Sequence, residues 1–149
     1  MRLTRYTDYA MRVLIHLAVH DGELVSIAEI ARAYDISHAN LMKVVQDLGS
    51  AGYVETVRGR NGGVRLAKPA NAINLGALVR HTETGFELAD CGQCLIAPAC
   101  GLTGVFAEAT RAFLAVFDKY TLADLIGRRS ALRELFAFTP PPSAADCDA

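Results

Sequence analysis

The sequence predicts a mainly α-helical fold: a helix, two short helices, a two-stranded hairpin, then a cysteine-bearing loop and one long helix. Three observations predict it. Apolar residues recur at three- and four-residue steps through most of the chain. Ser, Thr and Asn stand where helices would start, with Gly or Pro where they would stop. Strand-like alternation is confined to residues 53–57 and 64–67, on either side of a glycine-rich turn.

Taken in order, residues 4–20 place Tyr6, Ala10, Val13, Leu14, Leu17 and Ala18 near helical spacing, and Asp21-Gly22 ends the run. Ser26-Ile27-Ala28-Glu29 has the capping-box pattern and opens a short helix to about Ala33. Tyr34-Asp35-Ile36 makes a turn, and Ser37 caps a second helix to about Ser50. Ile27, Ile30, Ala31, Ile36, Leu41, Val44, Val45 and Leu48 supply a shared core. Two capped helices around a three-residue turn form a helix-turn-helix pattern, although an ordinary helical hairpin would read the same way.

The next segment favours the DNA-binding reading. The hairpin behind the second helix is a wing, with Arg58, Arg60, Asn61 and Arg65 around Gly59, Gly62 and Gly63. Arginine on a flexible tip suits a narrow minor groove. Near the N-terminal end of the second helix, Ser37, His38, Ala39, Asn40 and Lys43 are the candidates for the major groove. There Asn can pair with adenine, and Lys with guanine or phosphate. Pro69-Ala70-Asn71 breaks the chain, and Asn74 caps a helix over residues 75–81. Residues 102–120 form the longest periodic run, with Leu102, Phe106, Ala109, Phe113, Val116 and Tyr120 on one wide apolar stripe. Such a stripe is core or a dimer seam, and helix-turn-helix proteins commonly read two half-sites as dimers. Short helices are expected at 122–126 and 129–136.

Between the winged domain and the long helix lies CGQCLIAPAC, residues 91–100, with three of the four cysteines spaced C-x2-C-x5-C. Thiolates this dense repel unless a cation lies between them, so a soft metal or an iron–sulfur cluster suits the stretch. It supplies three ligands where zinc or a cubane cluster takes four. The fourth cysteine, Cys147, lies in a Pro-rich acidic tail and reads as a solvent-exposed thiol.

Bulk properties set the class. With 149 residues, 52% hydrophobic and 21% charged, the chain suits one domain with an appended element. No run of eighteen apolar residues exists and the charged N-terminus has no signal-peptide core, so a cytoplasmic protein without membrane contact is expected. Residues 1–80 hold ten Lys/Arg against seven Asp/Glu, a net of +3, while residues 81–149 hold five against nine, a net of −4. That asymmetry fits nucleic-acid contact by the first half alone. The expected organisation is a winged helix-turn-helix domain at 1–81 and a ligand loop at 82–101. A dimerisation helix with C-terminal helices at 102–136 and a disordered tail at 137–149 complete it.

Several stretches together resemble one family, the bacterial winged-helix repressors that carry an iron–sulfur cluster. They are MRLTRYTDYAMRVL, SIAEIARAYDISHANLMKVVQDL, VETVRGRNGGVRLAKPA, the cysteine loop and FDKYTLADLI. The chain looks most like the family's NsrR-type branch, whose members sense nitric oxide. IscR-like members place a histidine three residues after the last cysteine, where this chain has Thr103. NsrR-type members carry an aspartate in the first helix, where this chain has Asp8. The two-residue gap between Cys91 and Cys94 is shorter than in those relatives. The resemblance implies Cys91, Cys94 and Cys100 as ligands of a [4Fe-4S] cluster, with [2Fe-2S] the alternative, and Asp8 of the partner subunit as the fourth ligand. It implies Arg58 as the minor-groove residue and the second helix as the operator reader. A homodimer that binds operator DNA with its cluster intact, and releases it on nitrosylation, is the implied function.

Other readings stay open. One is a regulator of the same family that responds to iron or cluster supply, since the wing also resembles RirA. Another is a winged-helix module with structural zinc. Catalysis is not expected: a redox C-x-x-C normally opens a helix after a strand, and no Ser/His/Asp set or phosphate-cradling helix start is present.

Overall fold

The computed structural model describes residues 2–138. α1 (Arg5–Val19) starts where Thr4 Oγ1 accepts the Thr7 amide at 3.3 Å. Its buried face is the predicted one, Ala10, Val13, Leu14, Leu17 and Ala18. α2 (Ile27–Tyr34) and α3 (His38–Ser50) are capped by Ser26 and Ser37, as their sequences foretell. α2 runs one residue past its expected end, to Tyr34, and Asp35 turns the chain in the left-handed region at φ 52°. Asp tolerates that conformation better than a bulky residue would. Ile36 then drops into the core.

β1 (Val54–Val57) and β2 (Gly63–Leu66) pair antiparallel as the wing, each slightly displaced from its expected span. A single bridge from Val25, with N–O distances of 3.0 and 2.8 Å to Val64, lays a third backbone segment along β2. The approach explains Gly63: a Cβ there would lie 2.9 Å from the Val25 carbonyl oxygen. Gly62 is as constrained, since its Cβ would fall 2.1 Å from the Val57 oxygen. The core is one cluster that joins α1, α2, α3, the wing and α4 (Leu75–Thr82), with Leu14, Leu41, Leu48, Ile73 and Leu78 fully buried.

α5 (Leu102–Asp118) lies outside that core. None of its residues is buried. Its C-terminal end is tied down where Arg80 of α4 grips Asp118 at 2.5 and 2.8 Å and Asn74 donates to the Asp118 carbonyl at 2.9 Å, and its middle where the Thr110 hydroxyl donates to the Phe86 carbonyl at 3.3 Å. α6 (Leu122–Leu125) buries Leu122 and closes a reciprocal capping box between Thr121 and Asp124. α7 (Arg129–Ala137) returns to α1, where Arg129 and Arg133 donate to the Val19 carbonyl at 2.8 and 3.2 Å. The expected disordered tail begins inside this helix, so its first residue, Ala137, is helical instead. The part at 139–149, with Cys147, lies outside the described residues. No helix among the described residues is long and apolar enough to cross a membrane.

Candidate nucleic-acid interface and cysteine loop

The exposed face of α3 follows from its burial. Leu41, Val44, Val45 and Leu48 pack inward, which turns Ser37, His38, Ala39, Asn40 and Lys43 to solvent. Met42, half exposed beside Lys43, joins them. Arg5, Tyr6 and Tyr9 of α1 also line a cleft of about 280 Å³ with Asn40, Lys43 and Val44. Tyr6 was read in the sequence with the apolar face of α1, and Arg5 and Tyr9 carried no signal there.

Beyond its apolar packing, α3 meets two neighbouring helices through one acid. Asp47 takes a hydrogen bond from the Tyr6 hydroxyl, and burial together with that carboxylate pushes the Tyr6 pKa up to about 12. The same carboxylate lies 2.9 Å from His81 Nε2 of α4. α3 is thereby braced against both α1 and α4. At the wing tip, Arg58, Arg60 and Asn61 are exposed. Arg65 is a correction: it does not belong to the tip, because it faces Glu55 across the two strands and forms an ion pair with it.

The cysteine loop is a string of tight turns. Asp90 Oδ1 accepts the Gly92 amide at 3.2 Å, Cys91 O accepts the Cys94 amide at 3.4 Å, and Cys94 O accepts the Ala97 amide at 3.1 Å. A single 3-10 turn at Ala97–Ala99, with Pro98 inside it, delivers Cys100 to the start of α5. All three thiols are free; Cys94 is exposed, and Cys91 and Cys100 are half-buried. Leu95 and Ile96 stand out into solvent between them. A cleft of about 540 Å³ opens beside Cys91, between residues 86–92 and the face of α5 with Thr103, Phe106 and Thr110. Thr103, on that cleft, offers a hydroxyl, a poor ligand for iron compared with imidazole.

The root of the loop is bound to the start of α1. Glu83 Oε1 accepts from the Thr4 amide at 2.8 Å, from Thr4 Oγ1 at 3.0 Å and from the Thr7 hydroxyl, and Thr7 Oγ1 also lies 2.8 Å from Thr82 Oγ1. Asp8 is the next residue of α1. It is exposed, and its carboxylate pairs with Arg12 on its own helix at 3.0 Å.

The donor set fits a soft-metal centre: three unpaired thiols lie within ten residues, in a loop whose backbone bonds leave the sulfurs free. The sulfurs are not drawn together as around a single ion. The one set of three ligand atoms within 4.8 Å of one another, among the described residues, is His16, His20 and Glu29. Nothing in the sequence singled out that set beyond His16 and His20 standing one helical turn apart.

Comparison with known proteins decides the family. The sequence matches the Rrf2 profile, described as "Iron-dependent Transcriptional regulator", over residues 3–128. The chain belongs to the Rrf2 family. Among its relatives, the HTH-type transcriptional regulator NsrR of Bacillus licheniformis is 49% identical over 143 residues, covering 92% of this chain and all of the relative. The protein of that name in Bacillus subtilis is 50% identical over 141 residues, covering 91% and 97%. The solved structure of T. potens IscR superposes with a TM-score of 0.71 at 26% identity, covering 95% of this chain and 94% of that one. The Rrf2 assignment makes this chain a winged-helix transcriptional regulator rather than an enzyme, as its sequence led one to expect.

Proposed function

We propose that this Rrf2 protein is a nitric-oxide-responsive repressor that acts in the cytoplasm as a homodimer on operator DNA. The observation that carries the reading is the conjunction of three free cysteines in the loop, Thr103 at the position where IscR-like members have histidine, and an exposed Asp8 on α1. The NsrR relatives at about half identity support it.

Cys91, Cys94, Cys100 and Asp8 of the partner subunit would hold an iron–sulfur cluster, most simply of the cubane type. When bound, the cluster supplies an iron site with a weak carboxylate ligand, open to attack by nitric oxide. The chain's own residues do the rest. Asp8 exchanges Arg12 for the partner's loop. Glu83 fixes the start of α1 to the root of the loop through Thr4 and Thr7, so strain on the loop reaches α1 directly. From α1 it passes through Tyr6 and Asp47 to α3, the helix that enters the major groove. α5 pairs with its copy and sets the separation of the two heads. Half-sites on B-DNA repeat about every 34–36 Å, so a small change in that separation weakens binding to both. Arg58, Arg60 and Asn61 of the wing reach the adjacent minor groove.

The test is an anaerobic mobility-shift titration at fixed salt. The cluster-loaded protein is expected to bind operator DNA tightly and the nitric-oxide-treated protein weakly; equal affinity of both forms would sink the reading. A second reading, an iron-responsive regulator, is favoured by the iron-dependence in the family description and by the Asn61-Gly62-Gly63 wing. Loss of DNA binding to an iron chelator, with indifference to nitric oxide, distinguishes it.

A further inference from the structure

α1 carries two histidines that neither the DNA interface nor the cysteine loop uses. His16 is 1% exposed, and both of its ring nitrogens lack a hydrogen-bond partner. Buried polar atoms are nearly always satisfied, so a side chain with two orphaned nitrogens calls for a missing occupant. Its surroundings are aromatic: His20 stacks at 4.6 Å between centroids, Phe136 of α7 lies at 4.3 Å, and Tyr34 meets it edge-on at 5.8 Å. The exception is Glu29 of α2, whose Oε1 lies 3.8 Å from His16 Nε2.

Two details prepare these groups for a cation. His20 Nδ1 donates to the His16 carbonyl oxygen at 2.9 Å, which places its proton on Nδ1 and leaves the Nε2 lone pair available. Such a second hydrogen bond is how metal-binding histidines are commonly oriented. Burial, with the neighbouring His20, lowers the His16 pKa to about 4, so at neutral pH the imidazole is uncharged and does not repel a cation. Glu29 has the sequence of a capping-box residue, and its amide does bond Ser26 Oγ at 3.1 Å. Its carboxylate, however, is turned toward His16. One ligand atom from each of the three residues lies within 4.8 Å of the others. Around a tetrahedral zinc ion, nitrogen and oxygen donors at roughly 2.0–2.1 Å sit about 3.3 Å apart, so small side-chain adjustments would close the set.

We propose that His16, His20 and Glu29 bind a divalent transition-metal ion of the zinc class, independent of the cysteine loop. Two imidazoles and a carboxylate form a known zinc donor set with one position left for water. Glu29 is half exposed and gives the ion its route from solvent, while Phe136 covers the opposite side. The ion would clip α1 to α2, the first helix of the helix-turn-helix. It would fix the angle between the helix that braces α3 and the helix that packs beneath it.

The test uses the cluster-loaded, full-length protein, dialysed anaerobically against buffered zinc, with zinc and iron counted per chain. The expected result is one zinc per chain with the iron content unchanged. His20→Ala and Glu29→Gln are each expected to weaken zinc binding by about tenfold or more, with circular dichroism and the cluster spectrum unaltered. These two side chains reach the surface, so the test avoids emptying the buried His16 position. Three results would overturn the site: no zinc beyond background, zinc gained only as iron is lost, or zinc retained undiminished in either variant. The count involves neither DNA nor nitric oxide, so it stands or falls apart from the repressor reading.

Discussion

Asp8 and His16 lie two turns apart on α1 and face opposite electrostatic problems. Asp8 is exposed, and Arg12 keeps it paired. As the proposed weak ligand it is the simplest point at which to break the proposed sensor. Asp8→Ala is expected to lower the operator affinity of the iron-loaded protein by about tenfold, or about 1.4 kcal/mol, with the circular-dichroism spectrum unchanged. Undiminished affinity would remove Asp8 from the ligand set. His16 is buried and uncharged, and its folded-state pKa of about 4 lies below the 6.5 of an exposed histidine. Between those values the unfolded chain takes up a proton that the folded chain refuses. The stability of the metal-free protein should therefore fall as pH drops from about 6.5 toward 4, by roughly 3 kcal/mol from this group. Above about 6.5 this group gives no pH dependence. Urea midpoints across that range check it, and His16→Leu should flatten the slope. At the wing, Arg58→Ala is expected to cost about 1–3 kcal/mol of operator binding, measured at several salt concentrations. An unchanged affinity would place Arg58 outside the groove.

The elements divide by how they are held. α1, α2 and α3 bury regular apolar faces, and each begins at a Ser or Thr whose oxygen accepts a backbone amide. Both signals are local, so these helices were legible in the sequence to within a residue or so. α3 needs more than its own pattern, because its pose rests on Asp47 meeting Tyr6 and His81 from two other helices. Asp47→Ala is expected to weaken DNA binding several-fold while destabilising the fold by only about 1.5–3 kcal/mol, the range for a lost hydrogen bond to a charged group. Parallel mobility-shift and urea measurements separate the two effects. If both fall together, Asp47 serves stability alone. The wing shows the complementary case. Its alternation and glycines announced a hairpin, yet Arg65 sits opposite Glu55, and only the strand register reveals that it is spent on an ion pair.

Across the whole molecule, the long helix α5 is the largest element of which no residue is buried, among the described residues. Leu102, Val105, Val116 and Tyr120 remain about half exposed along it. Apolar exposure on that scale marks an interaction surface, and the proposed homodimer gives it an occupant. Val105→Glu is expected to shift sedimentation from dimer to monomer and to abolish tight operator binding, since two linked heads are needed for two half-sites. A dimeric Val105→Glu protein would move the interface elsewhere. The sequence by itself determined the order of elements, the winged helix-turn-helix, the exposed positions on α3 and the three-thiol loop. All of these follow from periodicity, caps and spacing, which act over a few residues. Tertiary structure alone decided which charges are free. It committed Arg65 to Glu55 and Asp47 to Tyr6 and His81, and it closed His16 and His20 against Glu29. These contacts join different elements. Their geometry is set by how the core packs, and a linear pattern holds no record of that.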